Sequence, residues 1–200
     1  VRRLLTDLLD DAFHPQTLHG SLLELPRCYD FSLGLALAEY HLVASALQLL
    51  SLASHKASLQ FEQVTALLLD HYWGLPAERD ARARLDAHLR KHLNASYRLD
   101  GLIKQVARCE NEGWALSGLL AQLKQIAAFQ AKPKQSPSAW LEDFTGLLND
   151  LAWGQTRPLS SHEYQTQQAF YKSMQELASL DGLMGKVSAQ AALQKVSVLM

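Results

Sequence analysis

The chain has 200 residues, 48% of them hydrophobic, enough for a sizeable core and too apolar for a disordered segment. Its 19 Lys and Arg against 20 Asp and Glu give a formal net charge of −1, so no global basic field announces nucleic acid, although a local groove can still be basic. The two cysteines, Cys28 and Cys109, are far apart and lack CxxC spacing, which argues against a disulfide framework or a zinc site and reads as reduced, cytoplasmic thiols.

No window of about 18 uninterrupted apolar residues exists, because Glu39, His41, Gln48 and Ser51 break the best one, and no membrane partner is expected. The N-terminus lacks the basic, apolar and small-residue order of a signal peptide. The chain begins at Val1 rather than a methionine and is expected to be a piece of a longer polypeptide.

In chain order, the apolar spacing is helical almost throughout, with no sustained period of two. Val1, Leu4, Leu5, Leu8, Leu9 and Ala12 share one face of a first helix, which His14-Pro15 ends. Residues 14 to 30 hold two prolines and a glycine and read as a connector. A long helix is expected from Leu35, with a stripe of Leu35, Ala38, Leu42, Ala46, Leu49 and Ala53, apolar enough beyond it to be buried on most sides. The next helix places Phe61, Val64, Leu67, Leu68 and Tyr72 together, and Gly74 and Pro76 stop it. "AERDARARLDAHLRKH" is a charged helix with a thin seam of Ala77, Ala81, Leu85 and Leu89. Helices near "LDGLIKQVARC" and from Ser117 to Phe129 follow, and "AKPKQSPS", residues 131–138, reads as an internal linker.

Start signals are clearest in the last third. Ser136 caps a helix whose first residue is Pro137, with Trp140, Phe144, Leu147, Leu148 and Leu151 on its apolar face. Ser160 and Glu163 form a capping box for a helix through Tyr164, Phe170, Met174 and Leu177. Gly182 is expected to take a left-handed turn and Ser188 to cap a final helix. The fold expected is all-α, an irregular bundle of roughly eight helices with at most one short edge strand near residues 29–33.

Catalytic signatures are sparse. His88 and His92 stand four apart, but the residues between them are Leu-Arg-Lys rather than a glutamate-bearing HExxH, and no third ligand is evident. Glu142-Asp143 and Asp10-Asp11 are adjacent pairs, which on a helix point about 100° apart and read as surface charge. There is no GxSxG, no GxxxxGK[ST] and no GxGxxG. No catalytic residue, metal, cofactor or small-molecule substrate is therefore expected of this fragment.

A basic path is the remaining candidate. Arg79, Arg82, Arg84, Arg90 and Lys91 lie on one helix, Lys104 and Arg108 on the next, and Lys132 and Lys134 in the linker. With Trp73, Tyr97 and Trp114 nearby in sequence, they could follow a phosphate backbone and stack a base. The same residues, interleaved with Asp80 and Asp86, also describe a solvated helix surface over a tryptophan core.

Three stretches in order, "RRLLTDLLDDAFHPQTL", "YDFSLGLALAEYHLVASALQLLSLA" with "FEQVTALLLDHYWG", and "WLEDFTGLLNDLAWGQTRPLSSHEYQTQQAFYKSMQELASLD", resemble the AddB-like bacterial DNA-repair family. That family joins a superfamily I helicase fold, its motor inactivated, to a PD-(D/E)XK nuclease. The resemblance implies that residues 1–30 are a helix and connector from the edge of a motor-like domain, and that 31–200 form a helical accessory domain of the 2B type. The phosphate loop and the nuclease motif would lie outside this stretch, so no catalytic residue carries over. The implied role is a non-catalytic segment that braces the motor-like core and contacts DNA. The alternative is a scaffold that docks a nuclease domain or partner subunit.

Overall fold

The computed structural model describes residues 2–14, 35–55, 58–91, 96–130 and 132–198. Their regular elements are helices apart from one two-stranded ladder and an isolated bridge, an all-α multi-helix fold. The chain divides into two compact units, Val1–Gly34 and Leu35–Met200. The expected edge strand near residues 29–33, and Cys28, lie outside the described residues.

In the first unit, α1 (Arg2–Phe13) ends just before His14, whose N–H donates to the Asp10 carbonyl at 2.8 Å. Leu5, Leu8 and Phe13 are exposed.

The second unit is built around α2 (His41–Ser54), which buries Leu42, Val43, Ala46, Leu49, Leu50, Leu52 and Ala53. A helix apolar on most sides must be covered on most sides. Neighbours on α2 come from α3 (Phe61–Leu69), α6 (Ser117–Phe129), α7 (Pro137–Asp150), α8 (Ser161–Gln175) and α10 (Ala189–Val198). The helix begins six residues later than its apolar run: Leu37–Glu39 is a single 3-10 turn and Tyr40 is extended, its ring 5.3 Å from that of His162 on α8. Packing against α8 overrides helix propensity there.

A short ladder precedes α3, β1 (Leu59–Gln60) pairing antiparallel with β2 (Ser96–Tyr97). Two-residue strands are too short to show a period of two, so the sequence carries no mark of them. The end of α3 also differs from expectation. It stops at Leu69 instead of continuing to Tyr72, because the Asp70 carboxylate accepts the Tyr72 N–H at 2.8 Å and the Ser45 hydroxyl. An Asp side chain that satisfies the backbone two residues on competes with the helix ladder.

A 3-10 turn, Pro76–Glu78, leads into α4 (Arg79–Lys91), followed by α5 (Leu99–Asn111) packed on α6. The α5–α6 connection turns at Gly113, φ +88°, with Trp114 N–H bonded to the Cys109 carbonyl. The N-terminus of α6 is capped from 40 residues away. Buried Glu78 accepts the N–H groups of Gly118 at 2.7 Å and Leu119 at 2.8 Å, placing a carboxylate at the positive end of the helix. A side chain at 118 would collide with Leu75 at 2.4 Å, so the glycine permits this close approach.

Residues 132–136 of the expected linker are tied down ahead of α7. Gln135 exchanges two backbone hydrogen bonds with Val187, and Lys132 pairs with Asp143. Ser136 accepts the Ala139 N–H and opens α7 at Pro137, while Ser160 and Glu163 form the capping box of α8. Beyond α8 come a 3-10 turn, Glu176–Leu180, and α9 (Asp181–Met184). Gly182 is inside α9; the positive φ, +58°, belongs to Gly185, three residues later than expected. Ser188 caps α10 through the Ala191 N–H.

Trp73, Trp140, Trp153, Phe144 and Phe170 are fully buried. Each buried indole N–H finds a carbonyl: Trp73 donates to Leu67, Trp140 to Val187 and Trp153 to Leu42, at 2.9–3.1 Å. The Trp140 and Trp153 bonds join segments distant in sequence, so these two tryptophans set register as well as fill volume. No helix among the described residues is long and apolar enough to cross a membrane.

Candidate nucleic-acid interface

At about 100° per residue, the cations of α4 fall into three groups. Arg79 and Arg90 share one flank. Arg84 and Lys91 share another, about 120° around the helix from Arg90. Arg82 faces inward with Leu85 and Leu89.

Arg82 is 3% exposed, so the expectation that it faces a phosphate is corrected. Its Nη1 donates to the Trp73 carbonyl at 2.9 Å and its Nη2 to the Leu67 carbonyl at 2.7 Å, with the guanidinium 4.4 Å from the Trp73 ring centroid. The guanidinium thus closes the C-terminal end of α3, where carbonyls lack helical partners and a cation is favoured. Burial pushes its pKa down to about 10. The buried seam of α4 is Arg82, Leu85, Asp86 and Leu89, rotated from the expected Ala77, Ala81, Leu85 and Leu89.

Arg90 is half-exposed but engaged: its Nε bonds Asp86 at 2.8 Å, its Nη2 bonds Thr65 at 3.1 Å, and it lies over Phe61. Arg84 is exposed, 5.6 Å from the Trp114 ring centroid, and the His88 ring meets the same indole edge-on at 5.5 Å. Lys91 is exposed on that side of the helix. On α5, Lys104 and Arg108 are both exposed, and Arg108 pairs with Glu112 at 3.2 Å. Trp73 and Tyr97, expected to offer stacking faces, are buried in the core instead; Trp114 is half-buried. What the structure brings together is therefore Arg84, His88 and Trp114, with Lys91 one turn on from His88.

His92 lies outside the described residues. Among the described residues no three His, Cys, Asp or Glu side chains converge as a metal ion would require. Asp143 is taken up by Lys132 and Gln135, and Glu142 is exposed. Cys109 is a free, buried thiol whose pKa is raised by burial, opposite to the shift of a reactive cysteine.

One polar cluster has no advance mark in the sequence beyond its capping box. Glu163 accepts from both Arg157 terminal nitrogens, from the Tyr72 hydroxyl at 2.9 Å and from the Ser160 N–H at 2.8 Å. The Arg157 bonds, then the Ser160 N–H, hold its carboxyl well below the ordinary glutamate range. Such a group stabilises the fold above its unfolded pKa of about 4.3, and that contribution is lost as pH falls through the depressed native value. Chemical denaturation of the parent chain should accordingly weaken more steeply below about pH 4 than that of Glu163→Gln. Parallel pH profiles for the two proteins would contradict this reading of the cluster.

Comparison of the chain with family models, with curated proteins and with solved structures finds no match.

Proposed function

We propose that the chain is a non-catalytic helical module of a DNA recombination and repair protein of the AddB-like kind. Its larger unit braces neighbouring domains of the same polypeptide and touches the DNA backbone weakly. The observation that carries the DNA contact is the outer flank of α4, where exposed Arg84 stands 5.6 Å from half-buried Trp114 beside the His88 edge contact, and exposed Lys91 lies one turn on from His88. Exposed cations on the same helix flank as an aromatic face suit a phosphate backbone and one stacked base. Lys104 and Arg108 on α5 would extend the contact. The proposal sets the chain in the cytoplasm, where a free thiol such as Cys109 stays reduced.

Sequence-independent binding with so few cations should be weak, with a dissociation constant of about 10⁻⁵–10⁻⁴ M at physiological salt. Fluorescence anisotropy with a labelled duplex and a labelled single strand measures it directly. Tight or saturable binding that survives high salt would contradict a backbone contact of this kind. Absence of binding to either strand form at low salt would leave the module a docking scaffold.

A further inference from the structure

A second feature lies on the other flank of α4. A cleft of about 160 Å³ opens where the end of α3, the 70–76 turn, the first turns of α4 and the 156–157 segment meet. Its walls include Arg79, Arg157 and His71, with Arg82 reaching it from the interior. Leu69 and Leu75, 50% and 46% exposed, also line it.

We infer that this cleft binds a short acidic–apolar peptide segment, one carboxylate entering beside Arg79 while a neighbouring branched side chain covers Leu69 and Leu75. Four observations carry this. Arg79 is exposed and has no ion pair among the described residues, so its guanidinium fork is available for bidentate carboxylate binding. Arg82 is a buried guanidinium bonded to carbonyls rather than to a carboxylate, and its Nε has no hydrogen-bond partner. Its charge beneath the cleft adds to that of Arg79, and the two guanidiniums together outweigh the single carboxylate of Asp70 in the lining, which favours an anion above them. Asp70, the acid lining the cleft, is already occupied by Ser45 and the Tyr72 N–H. The paired leucines favour a peptide over a phosphodiester, which offers them nothing apolar to cover.

The walls are preformed. The Thr156 hydroxyl donates to the His71 carbonyl at 2.5 Å, and the Gly74 and Gly154 N–H groups donate to the carbonyls of Leu151 and Tyr72. Preorganisation of this kind lowers the ordering cost of binding. This inference stands apart from the DNA contact, which uses the opposite flank of α4.

The test is an NMR titration of the full chain with three probes: acetyl-leucyl-glutamate, its neutral analogue acetyl-leucyl-glutamine amide, and inorganic phosphate. Amide shifts are expected at Leu69, His71, Leu75 and Arg79 with the acidic dipeptide, at least several-fold weaker with the neutral one, and reduced several-fold in Arg79→Ala. Exposed Arg79 can be replaced without loss of a buried contact, and an unchanged spectrum elsewhere verifies the fold. Equal response to the acidic and neutral dipeptides, or none to either, overturns the inference. A stronger response to phosphate at the same residues overturns it in favour of an oxyanion site.

Discussion

Replacement of Arg82 by alanine is expected to destabilise the fold by about 3–5 kcal/mol, although the residue belongs to the most charged helix of the chain. The truncation removes both donors from the Trp73 and Leu67 carbonyls. It also leaves a void against the Trp73 ring, 4.4 Å away. A buried acceptor left unpaired costs about 1–3 kcal/mol, and the unfilled volume adds to it. Leu67 keeps the Trp73 indole as a partner, which limits the loss on that side. Arg84→Ala, on the exposed flank of the same helix, should change stability by no more than about 0.5 kcal/mol. Urea denaturation of both variants at equal m-value makes the comparison, and equal effects would contradict the interior placement of Arg82.

Trp140→Ala should cost about 3–5 kcal/mol for related reasons. Trp140 is fully buried among Phe129 and Phe144, with ring centroids 5.8 and 5.6 Å away. Its indole N–H holds the Val187 carbonyl, and Val187 in turn pairs with Gln135 just ahead of α7. Trp140→Phe keeps most of the apolar area and loses the donor, so about 1–2 kcal/mol is expected. If the two variants were equally destabilised, the hydrogen bond rather than the ring would be holding this end of the bundle together. If neither were destabilised, the aromatic cluster would not be part of the core.

The elements that sequence reasoning placed well are those written in local signals. Ser136-Pro137 and the Trp140, Phe144, Leu147, Leu148 and Leu151 face specify α7 without reference to the rest of the chain, and all five face residues are buried. The Ser160–Glu163 box does the same for α8, though Tyr164 of the expected face points outward. Features decided by a distant partner were not legible. The delayed start of α2 depends on His162 and the cap of α6 on Glu78. Each partner lies tens of residues away, and no window of local sequence contains both halves.

The basic strip shows the same limit on α4. Five cations of α4 read as part of one path because they are close in sequence, yet helix rotation separates Arg79 and Arg90 from Arg84 and Lys91. One signal was present: Arg82 stands three residues before Leu85 and seven before Leu89, on the apolar seam rather than beside it. A long basic side chain on such a seam either reaches past it to water or finds acceptors inside. The Leu67 and Trp73 carbonyls, supplied by another element, decide between the two.

The measurement closest to the central claim is the salt dependence of duplex binding for the parent chain and for Arg84→Ala/Lys91→Ala. Each phosphate contact contributes about −0.9 to the slope of log binding constant against log salt. If the outer flank of α4 touches the backbone, the double variant should bind more weakly and its slope should be shallower by about two, with stability unchanged within about 1 kcal/mol. A slope equal to that of the parent chain, or a parent chain that shows no salt-dependent binding, would contradict the assignment of this flank to DNA.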